Sequence, residues 1–381
     1  MKLFKYAILP AAIALVSSCT DIDDVYQYDD NSADTDWNEV ADQSTAALVD
    51  YFWNADRGYF NEQSGVSSGD GWNYWSQAHA MDVVIDAYRR KPSDTYRAMM
   101  DSWYDGIRHQ SGGSYFNDFY DDEAWITLTM IRLYEVTSDK KFLDTARMLW
   151  DDIKAGWNTE YCDGGLAWKH SQPWSKNACI NAPGCLIACR LYSIEKLDDD
   201  LAWAKKIYDW ARGHLFNPAT GAVYDNIDGS SGNMGTFSLS YNQGTFMASA
   251  HYLYHFTSDP IYLKDARRAA NYCISTGCVD AGNNVIRDEG DGDGALFKGI
   301  FMRYFTDMLG EPALDESIRN KFVTFFRNNA EVAWSKGIAD KRQILFGPNW
   351  TVGPQGATNL NAQTSGCTMM EARARFENSL K

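Results

Sequence analysis

The chain has 381 residues, of which 45% are apolar and 23% are charged. This balance is ordinary for a folded protein and excludes a wholly disordered chain. The net charge is -16, and because an acidic chain repels phosphate backbones we expect no nucleic-acid partner. Aromatic residues reach 14%, with 14 Trp, 22 Tyr and 18 Phe, which on composition alone most simply indicates a large aromatic core.

Residues 1–18 are predicted to be a lipoprotein signal peptide rather than part of the fold. Lys2 and Lys5 form a basic start, and the apolar stretch that follows is shorter than the ~20 residues needed to span a bilayer. Small residues precede Cys19, as in a bacterial lipoprotein cleavage site; an ordinary secretory signal is the alternative. The resemblance implies that Cys19 carries a lipid that attaches the protein to a membrane.

Residues 19–36 are polar and acidic without apolar periodicity, so we predict a flexible tether. Acidic residues just after a lipidated cysteine resemble the surface-export signal of Bacteroidetes lipoproteins. We therefore expect the protein on the outer membrane, facing the cell surface, with the periplasmic face as the alternative. Residues 37–381 remain for one folded domain, which we expect to be a monomer.

Apolar residues at helical spacing predict twelve helices in this domain. In the stretch 140–155, Leu143, Ala146 and Ile153 share one face, and Asp139 is a suitable N-cap. The predicted helices cover 38–53, 75–90, 94–110, 123–137, 140–155, 177–195, 199–215, 242–257, 260–275, 294–309, 315–333 and 361–378.

The helices form a degenerate hairpin repeat. Tyr88, Tyr134, Tyr192, Tyr254 and Tyr304 close the first helix of successive pairs, roughly 50 residues apart. Six pairs closed into a ring make an all-α (α/α)6 barrel, which is the fold class we predict; an open α-solenoid of the same hairpins is the alternative. Long Gly-rich connections between pairs are expected to lie on one rim and shape a cleft.

The sequence favours a structural role for the cysteines other than Cys19. Seven remain, and an odd number cannot all pair. Cys179, Cys185 and Cys189 lie in an apolar helical stretch, where Cys often serves as a small hydrophobic residue. A disulfide between Cys273 and Cys278 stays open.

No metal or cofactor is expected. The cysteine spacings match no zinc pattern. The acidic loop 287–294 resembles a calcium loop, but it lacks the EF-hand spacing and the terminal Glu.

The strongest signal for chemistry is the adjacent pair Asp121 and Asp122, where a loop becomes the helix 123–137. Acidic residues at a helix start often only cap its N–H groups. This helix is expected to line the barrel, however, and Tyr120 and Trp125 flank the pair with apolar surface. Adjacent carboxylates in a partly dry site cannot both ionise easily, so one acid and one nucleophile or base result, as glycoside hydrolysis requires.

Rings in the long loops are candidates for substrate contacts, because ring faces stack on the C–H surfaces of sugars; packing in the core is the alternative for each. Polar residues at helix starts are further candidates, and so are the loop carboxylates Asp225, Asp291 and Asp293. The predicted substrate contacts are Trp72, Trp75, Gln77, Tyr120, Trp125, Trp168, Asn177, Asp228, Tyr241, Asn242 and Gln243.

Three motifs resemble glycoside hydrolase family 76. They are the segment Tyr120–Trp125 with the hairpin Leu133–Asp139 that follows it, the segment Lys176–Ala178, and the segment Thr236–Gly244, which ends in Tyr241–Gly244. The resemblance extends over most of residues 50–310. Ile126 stands where the family often has a second Trp, a departure that could alter the wall of the site.

The resemblance implies an (α/α)6 barrel and an endo-acting, retaining α-1,6-mannanase that hydrolyses the backbone of yeast or fungal mannan or related mannosides. It implies Asp121 as the nucleophile and Asp122 as the acid/base. Two alternatives stay open: another (α/α)6 glycosidase or a transglycosidase, and a non-catalytic glycan-binding lipoprotein. The intact aspartate pair favours an enzyme, since a pure binder has no need of paired acids.

Overall fold

The computed structural model describes residues 35–65, 72–280, 282 and 284–381. The predicted signal peptide, the lipid attachment at Cys19 and almost all of the tether lie outside the described residues. Residues Asp36–Lys381 form one compact unit. None of the described helices is both long and apolar enough to span a bilayer.

The described residues form two concentric rings of helices. The inner ring consists of α2 (Tyr74–Arg90), α4 (Tyr120–Thr137), α6 (Ala178–Glu195), α8 (Ser240–Thr257), α10 (Gly294–Leu309) and α12 (Leu360–Ser379). The outer ring consists of α1 (Trp37–Phe52), α3 (Asp94–Gln110), α5 (Lys140–Ala155), α7 (Asp198–His214), α9 (Pro260–Tyr272) and α11 (Glu316–Lys336). Each inner helix packs on the next, and α12 packs back on α2, so the ring is closed. The predicted (α/α)6 barrel is confirmed, and the open solenoid is excluded.

The helices of the two rings differ in how much of their surface is buried. The outer helix α5 is amphipathic and buries Phe142, Leu149 and Trp150 on one face, whereas the inner helix α8 is buried on nearly every side. Small residues let the inner helices approach closely: a Cβ added to Gly244 on α8 would lie 2.8 Å from the Cα of Phe301 on α10. Tertiary packing rather than amphipathicity therefore stabilises the inner ring.

All predicted helix boundaries are correct within three residues, and two of the differences bear on the interpretation. Helix α4 begins at Tyr120, not at residue 123, so Asp121 and Asp122 lie inside its first turn. No side chain caps this helix start. Helix α9 ends at Tyr272 and is followed by a π-helical turn, Cys273–Gly277.

Two small antiparallel sheets form in the connections between helices, and they include Trp53 and Asn177, which the sequence places at helix ends. One pairs β1 (Trp53–Asn54) with β2 (Tyr59–Phe60). The other joins β3 (Ser175–Asn177), β4 (Asn226–Asp228) and β5 (Met234–Gly235), with Asn177 opposite Asn226. This second sheet brings the connections that precede α6 and α8 together.

The seven cysteines of the described chain are free. Cys273 and Cys278 are both buried as thiols, so the disulfide left open by the sequence is not formed. The backbone N–H of Cys278 instead donates to the carbonyl of Cys273, at 3.1 Å.

Candidate active site

An open cleft lies at the end of the barrel where the inner helices begin. Its volume is about 660 Å³. The residues that line it are Asn73, Trp75, Phe119, Asp121, Asp122, Trp125, Trp168, Ser175, Asn177, Cys179, Asp225, Asn226, Phe237, Leu239, Tyr241, Asp293 and Phe297. The first turns of α2, α4, α6, α8 and α10 therefore converge on one space.

Four aromatic rings form a continuous apolar surface in this cleft. Trp75 lies 6.4 Å from both Trp125 and Phe297, measured between ring centroids. Tyr241 lies 6.4 Å from Trp125 and stacks on Phe297 at 4.0 Å, with 14° between the planes. Each ring comes from a different inner helix, so only the closed barrel brings them together. Such ring faces suit contact with the C–H surface of a sugar.

Two donors hold the carboxylate of Asp121. The indole Nε1 of Trp168 donates to Asp121 Oδ2 at 3.1 Å, and the thiol of Cys179 donates to the same oxygen at 3.2 Å. Trp168 comes from the long connection between α5 and α6, and Cys179 comes from the first turn of α6. Both hydrogen bonds favour the ionised form of Asp121.

The environment separates the pKa values of the two neighbouring aspartates. Burial raises the pKa of Asp122 to about 8, and the negative charges of Asp121 and Asp293 add to the increase. Burial also raises the pKa of Asp121, but the hydrogen bonds from Cys179 and Trp168 oppose this and limit it to about 6. At neutral pH, Asp121 is therefore largely ionised while Asp122 is largely protonated.

Glu123 is a third carboxyl group in the first turn of α4. Its side chain is fully buried, and its Oε1 accepts the backbone N–H of Asn117 at 2.7 Å. Burial raises the pKa of Glu123 to about 9, and the neighbouring Asp152 contributes to this increase. At neutral pH, Glu123 is therefore largely protonated and adds no negative charge to the first turn of α4.

Residues 36–379 match the family model described as Glycosyl hydrolase family 76. The chain belongs to glycosyl hydrolase family 76.

Solved and curated relatives agree with this family 76 assignment. The chain is 38% identical to the GH76A alpha-1,6-mannanase from Salegentibacter sp. HEL1_6, with a TM-score of 0.85 over 90% of this chain and 100% of that one. An inactive variant of that enzyme, with two consecutive aspartates replaced by alanine, was solved in complex with alpha-1,6-mannotetrose and is 37% identical. A mannan endo-1,6-alpha-mannosidase of Saccharomyces cerevisiae is 25% identical over 355 residues, 85% of this chain and 76% of that protein.

The cleft of this family 76 chain contains both predicted catalytic aspartates and five of the predicted contacts. Those contacts are Trp75, Trp125, Trp168, Asn177 and Tyr241. Asn242 lies one layer behind, where its Nδ2 donates to Asp225 Oδ1 at 2.9 Å.

The structure places Gln77 and Gln243 away from the cleft, which corrects their predicted contact with substrate. Gln77 accepts the backbone N–H of Phe60 at 2.9 Å and donates to its carbonyl at 2.8 Å. Gln243 donates to the carbonyl of Val223 at 3.3 Å. Both amides tie an inner helix to a connecting segment, and Asn181 does the same on α6 through both backbone groups of Leu166.

Three further predicted contacts also lie outside the cleft lining. Trp72 packs edge-on against Tyr59, with 5.0 Å between ring centroids. Asp228 accepts the backbone N–H of Ser230 at 2.8 Å and so stabilises its own turn. Tyr120 stacks on His170 at 4.1 Å, because the first turn of α4 directs it away from its neighbours Asp121 and Asp122.

Several cleft residues were absent from the predicted set. The sequence favours a structural role for Cys179, although its position two residues after Asn177, at the start of an inner helix, also points toward the cleft. Phe119, Phe237 and Phe297 carry no local signal, because an isolated Phe beside a helix start is equally consistent with core packing. Of the further loop candidates, Asp225 and Asp293 line the cleft, whereas Asp291 does not.

Proposed function

We propose that this chain is an endo-acting, retaining α-1,6-mannanase that hydrolyses the backbone of yeast or fungal α-mannan or related mannosides. The observation that carries the proposal is the pair Asp121 and Asp122, two adjacent carboxyl groups with separated pKa values on the wall of an aromatic cleft. The named activities of the Salegentibacter and Saccharomyces relatives support this choice of substrate. An open cleft also suits an internal bond of a polymer better than a closed pocket does.

The chemistry follows from the two protonation states. Asp122 donates its proton to the glycosidic oxygen while Asp121 attacks the anomeric carbon, which gives a covalent mannosyl–enzyme intermediate. Asp122, now ionised, removes a proton from water as that water attacks the intermediate, so the mannosyl product leaves with its original anomeric configuration. Trp168 and Cys179 keep Asp121 ionised and oriented before the attack.

The pair rather than the cleft alone favours hydrolysis over simple glycan binding. Burying two carboxyl groups without a cationic partner costs stability, and binding a neutral glycan does not need them. A transglycosidase would use the same first step, with a sugar hydroxyl in place of water, so the products must distinguish the two reactions.

The test is product analysis on unbranched α-1,6-mannan, with Asp121→Asn and Asp122→Asn as variants. We expect the wild type to release short oligosaccharides, and each variant to lose at least about a hundredfold in kcat/KM, since removing a nucleophile or an acid/base costs that or more. Asp228→Asn is the matched control, because this carboxylate lies on the same rim outside the cleft lining, and it should retain wild-type turnover.

Each contrary outcome has a defined meaning. Near-native turnover by Asp121→Asn would refute its role as the nucleophile. Binding of mannan by the wild type without release of oligosaccharides would identify a glycan-binding protein. Early NMR spectra that contain the β-anomer would identify an inverting enzyme, and elongated oligosaccharides would identify a transglycosidase.

We further propose that a lipid on Cys19 attaches the enzyme, as a monomer, to the outer membrane with the barrel facing the cell surface. Support comes from the short apolar segment before Cys19 and the acidic residues after it. In intact cells, we expect added protease to degrade the barrel, and Cys19→Ala to move the enzyme from the membrane to the soluble fraction. Light scattering of the soluble variant should give the mass of one chain.

A further inference from the structure

Three side chains converge at the end of the barrel opposite the cleft. His251 and His255 lie one turn apart near the C-terminal end of α8, and Glu311 lies in the connection between α10 and α11. The Nε2 atoms of the two histidines are 3.0 Å apart. Glu311 Oε2 lies 2.9 Å from His251 Nε2 and 3.2 Å from His255 Nε2. Three potential ligand atoms thus form a nearly equilateral triangle.

Hydrogen bonds alone cannot make all three contacts of this triangle attractive. A neutral imidazole has one N–H group and one lone pair. If both Nε2 atoms carry hydrogen and donate to Glu311, the two N–H groups face each other. If His255 Nε2 is instead the acceptor, its lone pair faces the carboxylate oxygen. One of the three contacts is repulsive in either arrangement, whereas a cation between the atoms would make all three attractive.

The triangle has the dimensions of a metal site. Zinc–nitrogen and zinc–oxygen bonds of about 2.0–2.1 Å at angles between 90° and 109° separate neighbouring ligand atoms by about 2.9–3.4 Å. All three observed separations fall within this range. Histidines four residues apart on a helix share one face, which is the usual way a helix offers two imidazoles to one ion.

We propose that His251, His255 and Glu311 form a binding site for one divalent transition-metal ion, with Zn²⁺ as the favoured ion. Two imidazoles and one carboxylate suit zinc and its neighbours, whereas Mg²⁺ and Ca²⁺ prefer oxygen ligands. Three protein ligands leave at least one position for a solvent molecule. The site lies at the opposite end of the barrel from Asp121 and Asp122, so its role is structural.

The surroundings of the triangle hold it in place. Glu311 Oε1 accepts the backbone N–H of Ala313 at 2.8 Å, which fixes the carboxylate and turns Oε2 toward the histidines. His251 and Glu311 are buried, while the side chain of His255 is 53% exposed. An ion can therefore enter from solvent without a rearrangement of the core.

Charges near the triangle do not exclude a cation. The triangle borders a cavity of about 310 Å³ at what we call the arginine end of the barrel. The five arginines of this cavity share three carboxylates, and Asp82 also lies 2.8 Å from Arg132, so four negative charges offset most of the five positive ones. The pairs are Arg89 and Arg190 with Glu135, Arg132 and Arg303 with Asp86, and Arg375 with Asp307.

A bound ion would link α8 to the connection between α10 and α11, so it should stabilise the barrel by binding the folded state alone. The test uses the full folded domain without a polyhistidine tag, treated with a chelator and then titrated with ZnCl₂ in a calorimeter. We expect one Zn²⁺ per chain and a rise in Tm of a few degrees that EDTA reverses. MgCl₂ and CaCl₂ should produce neither effect.

Substitutions locate the ion. His255→Ala removes an exposed ligand, so the variant should fold and keep its mannan turnover while losing stoichiometric Zn²⁺ binding and the Tm rise. His109→Ala is the matched control, because His109 is an exposed histidine on α3 outside the triangle, and it should bind as the wild type does. Unchanged Zn²⁺ binding by His255→Ala, or no micromolar binding by the wild type, would overturn the proposal. Because activity is measured only as a check of folding, failure of the mannanase assignment would leave the binding result interpretable.

Discussion

The two ends of the barrel shift the pKa values of their carboxyl groups in opposite directions. In the cleft, Asp121 and Asp122 have no ion pair among the described residues, and burial raises both pKa values. At the arginine end, burial alone would raise the pKa of Asp86, but Arg132 and Arg303 outweigh burial and hold it well below its usual range. The pKa of Glu135 is lowered for the same reason, by Arg190 and Arg89.

This contrast distinguishes a catalytic site from a network of ion pairs that stabilises the fold. An acid that must stay protonated at neutral pH can have no cation beside it, so the cleft keeps a destabilising arrangement. Carboxylates with no chemical role can be paired, and the arginine end joins α2, α4, α6 and α10 through such pairs. The contrast between the two ends predicts three effects, on stability, on turnover and on the pH dependence of stability.

The first prediction is a loss of stability in Arg132→Met at the arginine end. Arg132 lies 2.8 Å from Asp82 and also pairs with Asp86, and its side chain is only 6% exposed. Its removal leaves buried carboxylates without their main partner, so the free energy of unfolding in urea should fall by about 3–5 kcal/mol. Turnover at low temperature should persist, because the cleft lies at the other end.

Arg89→Met is the control within the same network. Arg89 is 39% exposed and pairs with Glu135, which Arg190 also holds. Its loss should cost less than about 1 kcal/mol. Equal losses for Arg89→Met and Arg132→Met would mean that burial does not determine the strength of these pairs.

The second prediction concerns Trp168→Phe in the cleft. Phenylalanine retains a ring but lacks the N–H that donates to Asp121 at 3.1 Å. Because a hydrogen bond to a charged group contributes about 1.5–3 kcal/mol, kcat/KM should fall at least about tenfold at low pH. Loss of this donor also raises the pKa of Asp121, so the acid limb of the pH profile should move to higher pH.

Trp72→Phe is the matched control, since Trp72 lies outside the cleft lining and should leave the profile unchanged. An acid limb that stays in place in Trp168→Phe would show that the indole does not stabilise the ionised form of Asp121.

The third prediction concerns how the stability of Asp122→Asn depends on pH. The pKa of Asp122 is about 8 in the folded protein and about 3.9 in an unfolded chain. The folded state therefore binds more protons between these values, and stability falls as pH rises from about 4 through about 8. Asparagine does not ionise, so Tm of the variant should equal that of the wild type at pH 4 and exceed it at pH 8. A Tm difference independent of pH would mean that Asp122 does not stay protonated in the folded protein.

Local sequence determined the helices and the aspartate pair. The bounds of α3, α5 and α10 agree with the prediction because apolar spacing and caps such as Ser93 and Asp139 act within a few residues. Asp121 and Asp122 are adjacent in the chain, so their interaction was visible before any fold was known. The resemblance to family 76 rested on equally short motifs.

Only the tertiary structure determines whether a side chain of an inner helix points into the cleft or toward a connecting segment, and which residues it contacts there. Gln77 stands two residues after Trp75, yet it binds a connecting segment while Trp75 lines the cleft, because successive residues of a helix point in different directions. Cys179 can donate to Asp121 only because α6 packs beside α4. His251 and His255 share a helical face by sequence alone, but Glu311 joins them only because α10 packs against α8 in the closed ring. A sequence specifies side-chain chemistry locally, whereas contacts between distant segments form only when the barrel closes.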